Sequence, residues 1–255
     1  MILTDTHTHQ YYETDPQKRQ ELMERCIANG ILRLFLPNVD SASMDLVFSQ
    51  VNTFPEYCFP MLGLHPCDVK ANWQDELNLI NEAIPQHKIY AIGEIGIDLY
   101  WDKTTLNEQI EAFRIQIGWA KKLKLPVVIH CRNSFDEVYE VLQQNNDENL
   151  RGILHCFTGT LEQAQKVIAL GFYLGIGGVV TYKNSGLDNV VQQIDLKHIV
   201  LETDSPYLTP VPYRGKRNES SYLIYVAEKV AGLHQVSLEV VADITTANSK
   251  MVFGV

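Results

Sequence analysis

The sequence has few cysteines, no long apolar run and no excess of positive charge. Its five cysteines are odd in number, widely separated and never arranged as CxxC, which argues against a disulfide framework and against a thiolate zinc site. No apolar run approaches the roughly 18 residues that a membrane-spanning helix needs. The opening MILTDTHTH has no basic segment followed by an apolar one, unlike a secretory signal. We therefore expect a cytoplasmic protein without a membrane anchor.

The excess of acidic residues limits how the protein can contact nucleic acid. The chain contains 31 aspartates and glutamates against 21 lysines and arginines, a formal net charge of −10 at pH 7. Such a balance argues against a broad basic face that grips duplex DNA. A few metal ions and local arginines can still hold one or two phosphates. We therefore expect local contact with a strand end or a single strand, without sequence reading.

Short apolar runs alternate along the chain with amphipathic helix patterns. The eight runs are continuously apolar, as in parallel strands that are covered on both faces. They span residues 1–6, 31–39, 58–64, 89–97, 126–130, 152–156, 172–177 and 199–202. Helix patterns follow the runs at residues 17–29, 44–53, 73–83, 106–123, 134–144, 160–170, 187–193, 221–231 and 238–252.

This alternation predicts right-handed strand–helix–strand units, and eight such units form either a closed barrel or a doubly wound sheet. A doubly wound sheet usually has a glycine-rich phosphate turn after its first strand, which this chain lacks. A (β/α)8 barrel needs about 250 residues, close to the 255 present. We therefore predict an α/β fold of the TIM (β/α)8 barrel type, with a single domain over residues 1–255, and a monomer.

Ligand-type side chains stand at the ends of the predicted strands. His7 and His9 lie two apart in DTHTH, so their imidazoles share one strand face and form a ready metal-binding pair. Four more such residues end strands four, five, six and eight: Glu94, His130, His155 and Asp204. A barrel brings the carboxyl ends of its strands to one rim, where the active sites of such barrels lie. We therefore predict that these residues converge, rather than being unrelated buried polar groups.

Seven motifs follow one another along the chain: DTHTH, GLHP (63–66), GEIGID (93–98), LPVVIHCR (125–132), ILHCFTG (153–159), LETDSPYLTP (201–210) and RGKRNE (214–219). As a set they resemble the TatD family of metal-dependent deoxyribonucleases. The resemblance implies two divalent metal ions bound by His7, His9, Glu94, His130, His155 and Asp204. Two departures from the family pattern, Gln10-Tyr11-Tyr12 and Ser220, fall in predicted rim loops. We expect them to affect substrate preference and to leave the metal site intact.

On this hypothesis Glu94 bridges two cations about 3.5–4 Å apart, since it lies between the early and the late ligands on the rim. The two early histidines and Asp204 complete one cation site, and the two later histidines complete the other. Asp204 would also take a proton from the metal-bound water, whose pKa the metal lowers, to give hydroxide at neutral pH. Glu94 and Asp204 are thus the predicted catalytic residues. The metal stays open among magnesium, manganese and zinc.

Five residues are candidates for contact with a substrate. His65 either contacts a substrate phosphate or supports the metal site, or else it is a structural turn histidine. Arg132 shares a strand face with the strand-five histidine and binds either a phosphate or a surface carboxylate. The basic cluster after strand eight is either a solvated loop or a clamp on a nucleic-acid backbone. From this cluster we take Arg214, Arg217 and Asn218 as substrate-binding candidates.

Two further groups of residues surround the predicted site. Asp5, Asp98 and Glu202 are candidates to orient the ligand imidazoles, as carboxylates behind metal-binding histidines do. Aromatic residues of the predicted rim loops either stack on nucleobases or pack against the loops: Tyr11, Tyr12, Tyr100, Trp101, Tyr182 and Tyr207.

Three classes of function fit these features. The first is phosphodiester hydrolysis, and the resemblance implies DNA as the substrate, with nucleotides removed from the 3′ end of a single strand or of a DNA end. The second is hydrolysis of a carboxylic ester or amide such as D-aminoacyl-tRNA, because the same hydroxide attacks a carbonyl carbon. The third is a metal- or partner-binding barrel without catalysis. The presence of all six ligand-type residues argues against this third class.

Overall fold

A computed structural model describes all 255 residues and contains eight parallel strands that alternate with helices. The strands are β1 (Leu3–Asp5), β2 (Ile31–Pro37), β3 (Cys58–Met61), β4 (Ile92–Asp98), β5 (Val127–Arg132), β6 (Gly152–Leu154), β7 (Tyr173–Ile176) and β8 (Ile199–Leu201). Each strand falls on one of the eight predicted apolar runs. Several strands end earlier than predicted, because the chain turns away where the polar residues begin.

Nine helices surround the strands, and each falls on a predicted helix pattern. They are α1 (Pro16–Ala28), α2 (Met44–Thr53), α3 (Trp73–Ala83), α4 (Leu106–Leu123), α5 (Phe135–Asn145), α6 (Leu161–Ala169), α7 (Leu187–Val191), α8 (Leu223–His234) and α9 (Leu238–Phe253). Local capping explains several starts: the Asp15 side chain accepts the Lys18 N–H at the start of α1, and Thr160 and Gln163 form a capping box at the start of α6. None of the helices has the length and apolar character to cross a membrane.

The strands are joined all the way around the molecule. Hydrogen bonds join β1, β2 and β3 into one sheet and the five strands from β4 to β8 into another, and in each sheet neighbours in the chain are neighbours in space. Leu62 and Ile92 bridge one gap between the two sheets. At the other gap, the backbone N–H and the hydroxyl of Thr6 both donate to the Leu201 carbonyl, at 3.0 and 3.1 Å. These links close the sheet and confirm the predicted (β/α)8 barrel.

The amino-terminal end of the barrel interior is filled by apolar side chains, and we call this cluster the barrel floor. It comprises Phe35, Met61, Ala91, Val128, Ile153, Val200, Val252 and Phe253. The Phe253 ring stacks on Phe35 with centroids 3.7 Å apart. The helix α9 runs along the outside of the barrel, and its last turn also closes the bottom. A second buried cluster of 52 residues packs the strands against the surrounding helices.

Strand alternation determines what lies at the opposite end of the interior, which we call the barrel mouth. Side chains two residues apart on a strand point the same way. Val128 of the floor is therefore followed by His130, and Ile153 is followed by His155. The geometry that packs the floor with apolar groups thus aims polar groups into the mouth.

Candidate metal centre

The barrel mouth brings together the residues that were predicted from the sequence as metal ligands. They lie just after β1, within β4 and β5, and in the turns that follow β6 and β8. All are buried or partly buried: His7, His9, Glu94, His130, His155 and Asp204. Their side chains form two groups of donor atoms, one around each carboxylate oxygen of Glu94.

The first group surrounds the Oε2 atom of Glu94. This oxygen lies 3.2 Å from Nε2 of His7 and 3.5 Å from Nε2 of His9. Asp204 Oδ1 lies 3.8 and 3.6 Å from the same two nitrogens. The two nitrogens are themselves 3.2 Å apart. Four donor atoms from β1, β4 and the end of β8 thus face one small volume.

The second group surrounds the Oε1 atom of Glu94. This oxygen lies 2.8 Å from His130 Nδ1 and 3.1 Å from His155 Nε2. His65 Nε2 is 3.3 Å from Glu94 Oε1 and 3.3 Å from His130 Nδ1. His65, for which the sequence left several roles open, therefore lies directly beside the predicted ligands.

The arrangement of these atoms fits divalent cations. A neutral imidazole has one donor and one acceptor nitrogen. The facing nitrogens of His7 and His9 therefore cannot hydrogen-bond to each other and also donate to the carboxylates of Glu94 and Asp204. The Nδ1 atom of His7 is buried without a hydrogen-bond partner. These donors and their neighbours include three overlapping sets of three atoms, and the atoms of each set lie within 4.8 Å of one another. Imidazole and carboxylate donors suit zinc and manganese, and the carboxylates also suit magnesium.

Two carboxylates orient the histidines of the second group. Asp98 Oδ2 lies 2.8 Å from His130 Nε2, and Glu202 Oε1 lies 3.1 Å from His155 Nδ1. These are the contacts that were expected of Asp98 and Glu202. A carboxylate behind an imidazole holds the ring in place and makes its other nitrogen a stronger ligand.

Asp5 does not make the predicted contact with an imidazole. Its carboxylate accepts the Thr203 backbone N–H at 2.9 Å and the Thr203 hydroxyl at 2.6 Å, and it also accepts the backbone N–H of His7. Burial raises the pKa of Asp5 to about 7. Asp5 therefore joins the end of β1 to the turn after β8, and it supports the backbone of the site.

The two departures from the family pattern lie in the loops after β1 and β8, as predicted, but most of their side chains are buried. Tyr11 is fully buried, and its hydroxyl lies 2.9 Å from Nδ1 of His9. Ser220 is also buried, and its hydroxyl contacts the hydroxyl of Thr8 at 3.0 Å. Both side chains lie beneath the site and support it. Tyr11 and Ser220 therefore lie in rim loops, as predicted, with their side chains turned inward.

The charge states of the two central carboxylates differ. Burial alone would raise the pKa of Glu94, but the surrounding imidazoles, His65 foremost, outweigh burial and hold that pKa well below its usual range. Burial raises the pKa of Asp204 to about 6, although His155 and His9 oppose the shift. Glu94 is thus held as a carboxylate at every physiological pH, whereas Asp204 titrates closer to neutrality.

A cleft of about 630 Å³ opens above these groups at the mouth, and Arg132 lines it together with His65 and Trp101. The Arg132 guanidinium lies 3.8 Å from the centroid of the Tyr100 ring. Arg132 is exposed, and its guanidinium lies over the rings of Tyr100 and Trp101 rather than against a carboxylate, so the alternative of a surface ion pair does not describe it. A cationic group at the edge of the cleft is therefore free to meet an anion.

The two arginines of the basic cluster lie outside the lining of the cleft. Arg214 stacks on the ring of Tyr182, with 3.8 Å between the guanidinium carbon and the ring centroid. Arg217 pairs with Glu13 at 3.1 Å, beside a smaller depression between α1 and the loop after β8. The structure does not bring either side chain to the predicted metal ligands.

Asn218 contacts the protein itself. Its side-chain amide donates to the carbonyls of Thr203 and Tyr207 at 2.9 and 2.6 Å, and its oxygen accepts the Glu219 N–H at 2.9 Å. The residue is buried. Both amide hydrogens therefore already hold the loop after β8, and the side chain has no free donor for the predicted substrate contact.

Comparison with known proteins shows the family of this chain. A family model described as TatD related DNase matches residues 4–254. The chain belongs to the TatD family of metal-dependent hydrolases. Among its TatD relatives, the uncharacterized metal-dependent hydrolase YabD of Bacillus subtilis is 38% identical over 99% of each chain. The 3′-5′ ssDNA/RNA exonuclease TatD of Escherichia fergusonii is 31% identical over 93% of each chain.

Solved structures agree with the TatD assignment. The TatD homologue YJJV from Escherichia coli K12 has a TM-score of 0.93 to this chain at 25% identity, and the match covers 99% of this chain and 98% of that one. A mutant organophosphorus hydrolase has a TM-score of 0.68 at 11% identity, which shows a shared fold alone. The resemblance to the TatD family that was inferred from the motifs is therefore confirmed.

Proposed function

We propose that the protein is a metal-dependent deoxyribonuclease that removes nucleotides from the 3′ end of single-stranded DNA. The position of Glu94 carries this proposal: one of its oxygens faces the two histidines after β1, and the other faces His130 and His155. A carboxylate placed in this way can bridge two cations, as in many phosphodiester-cleaving sites. Two relatives named 3′-5′ ssDNA/RNA exonuclease TatD support nucleic acid as the substrate.

The cations would be two divalent ions of magnesium, manganese or zinc. One would be held by His7, His9 and Asp204 and the other by His130 and His155, with Glu94 facing both sets. When bound, such ions lower the pKa of a coordinated water and neutralise charge that develops on the phosphate. We assign His65 to the second group as a neighbour that contacts both Glu94 and His130.

The side chains around the cations have separate tasks in this proposal. Asp204 lines the cleft, and its side chain is 15% exposed, so it can take a proton from the attacking water. Glu94 is almost completely buried and keeps the two groups of imidazoles together. Arg132 lines the same cleft without an ion-pair partner, so it can pair with the non-bridging oxygens of a phosphate.

The test is hydrolysis of a single-stranded DNA oligonucleotide labelled at its 5′ end. We expect a ladder of products shortened from the 3′ end, which a chelator abolishes and which added manganese, magnesium or zinc restores. A parallel assay on D-aminoacyl-tRNA separates the ester and amide alternative. Activity on the aminoacyl-tRNA alone would overturn the proposal in favour of that alternative. Activity on neither substrate would favour a barrel that binds metal or a partner without catalysis.

A further inference from the structure

Trp101 is unusual among the tryptophans of this chain because it is exposed at the edge of the cleft. Its side chain is 70% exposed, whereas Trp73 is buried at 8%. Exposing an indole to water costs free energy, since burial of aromatic surface is among the larger favourable terms in folding. Trp101 also lines the cleft above the candidate metal centre. An exposed aromatic ring in this place is available to a ligand.

The loop that carries Trp101 is held by the site itself. The Oδ1 atom of Asp98 accepts the backbone N–H groups of Tyr100 at 2.8 Å and of Trp101 at 3.1 Å. The side chain of Gln109 accepts the Asp98 N–H at 2.8 Å and donates to the Asp98 carbonyl at 3.2 Å. The rings of Tyr100 and Trp101 meet edge to face, 5.0 Å apart. The indole is therefore presented by an ordered turn.

A cationic group accompanies the indole. The Arg132 guanidinium lies 3.8 Å from the centroid of Tyr100 and 5.6 Å from that of Trp101. Stacking on an aromatic ring holds an arginine side chain in place and leaves its N–H groups free at the edge. A flat apolar surface and a bidentate phosphate donor thus stand side by side at the cleft.

We propose that Trp101 and Arg132 form a nucleotide subsite in which a nucleobase stacks on Trp101 and the adjoining phosphate pairs with Arg132. This inference rests on the proposed nuclease function, and it identifies the ligand as a single-stranded oligonucleotide. Stacking on an aromatic ring is tolerant of sequence because every base has a π-face. The subsite therefore selects unpaired nucleotides over duplex without selecting a sequence. It also explains how an acidic protein holds a polyanion, through one arginine and one aromatic ring beside the metal centre.

The direct test uses tryptophan fluorescence of the metal-loaded protein, titrated with an oligo(dT) whose 3′-terminal linkages are phosphorothioates that slow hydrolysis. A base that stacks on Trp101 should quench the emission in a saturable way. Trp101→Phe should abolish the saturable quench, whereas Trp119→Phe, a change of a partly buried indole on α4, should preserve it. Quench that persists in Trp101→Phe, or that is absent from the wild type, would overturn the subsite.

The kinetic test compares two substrates. On oligo(dT), Trp101→Ala should raise KM by about 5- to 150-fold with a smaller change in kcat, while Trp101→Phe keeps most of the affinity. Tyr139→Ala, which removes a partly exposed ring from α5 outside the cleft, should change neither constant. On an oligonucleotide whose two 3′-terminal residues are abasic, wild type and Trp101→Ala should have the same KM. An equal loss on both substrates would assign Trp101 a structural role only.

The two proposals fail in different ways. If no single-stranded DNA is cut but oligo(dT) still quenches the Trp101 emission, the nuclease assignment falls and the nucleotide subsite stands. If DNA is cut and Trp101→Ala has the wild-type KM, the nuclease assignment stands and the subsite falls.

Discussion

The floor and the mouth of the barrel are built by the same strands, yet their inward side chains have opposite chemistry. At the floor, Val128 and Ile153 pack among apolar neighbours, and Phe253 closes the bottom by stacking on Phe35. Two residues further along the chain, His130 at the end of β5 and His155 just after β6 contact Glu94. In barrels of this kind the amino-terminal end serves stability and the carboxyl-terminal end serves chemistry. Substitutions at the floor and at the mouth can therefore test whether stability and chemistry are separate.

The largest expected effect is at the mouth. Asp204→Asn removes the proposed general base and should lower kcat on single-stranded DNA by about 10²- to 10⁴-fold, the usual contribution of a general base. The melting temperature should change little, because no floor contact is lost. Asp195→Asn, which changes an exposed carboxylate before β8, is the matched control and should keep the wild-type rate. A full rate in Asp204→Asn would remove the catalytic role assigned to this residue.

At the floor we expect the reverse pattern. Phe253→Ala removes a buried ring that stacks on Phe35, and it should lower the free energy of unfolding by about 3–5 kcal/mol. Urea denaturation followed by circular dichroism measures this loss, and Phe253→Leu should recover part of it. The folded fraction should still bind metal with the wild-type affinity. A loss below about 1 kcal/mol would show that α9 does not seal the barrel.

Between these extremes lie the residues that orient the imidazoles. Asp98→Asn should weaken metal binding about 10- to 100-fold, because a neutral amide holds His130 less firmly and makes it a weaker ligand. Competition with a fluorescent chelator measures the affinity. The control is Asp102→Asn, a change of an exposed aspartate in the loop after β4. Equal affinities for Asp98→Asn and wild type would contradict the orienting role.

The smallest effect is expected at the outer surface, between α1 and the loop after β8. Arg25 pairs with Glu219 at 2.7 Å on the outer surface, so Arg25→Ala should cost roughly 0–1 kcal/mol of unfolding free energy at pH 7. Burial would raise the pKa of Glu219, but hydrogen bonds from Arg25 and Ser221 outweigh burial and lower it. A carboxylate with a lowered folded-state pKa stabilises above its unfolded pKa of about 4.3, and the contribution is lost as the pH falls through the folded-state pKa.

The pH dependence of this last variant provides its check. Urea midpoints of wild type and Arg25→Ala should differ most near pH 7 and should converge as the pH falls from the unfolded pKa of about 4.3 through the lower folded-state pKa of Glu219. A difference that grows on acidification would contradict the ion pair as the cause. Neither kcat nor metal affinity should change in Arg25→Ala, in contrast to the variants at the mouth.

Much of the fold could be predicted because each level of the sequence points the same way. Continuous apolar runs predicted buried parallel strands, and all eight are present. Their alternation with helix patterns predicted the barrel, because a parallel pair needs a helical crossover. The convergence of His7, Glu94 and Asp204 followed from the common rim of the strand ends. None of these inferences required knowledge of a distance between remote residues.

The remaining features depend on contacts that no local pattern encodes. Strand alternation alone would turn Cys156 toward the helices, but its backbone has a φ of 47°, so the alternation ends at His155 and Cys156 lines the cleft. Asn218 was predicted to bind substrate because it stands in a basic cluster, yet its amide donates to the carbonyls of Thr203 and Tyr207. Tyr11 was predicted to be a rim-loop aromatic, and only the folded chain shows that its hydroxyl contacts the imidazole of His9.

Asp98 links two parts of the molecule that the chemistry treats separately. One of its oxygens contacts the imidazole of His130, and the other accepts the N–H groups of the turn that carries Trp101. If a cation is held at His130 and a base stacks on Trp101, as proposed, both would act on this one carboxylate. By thermodynamic reciprocity, if the ion favours the order of the turn, then a bound strand end tightens the hold on the ion to the same extent. Substrate and cofactor would then each retain the other.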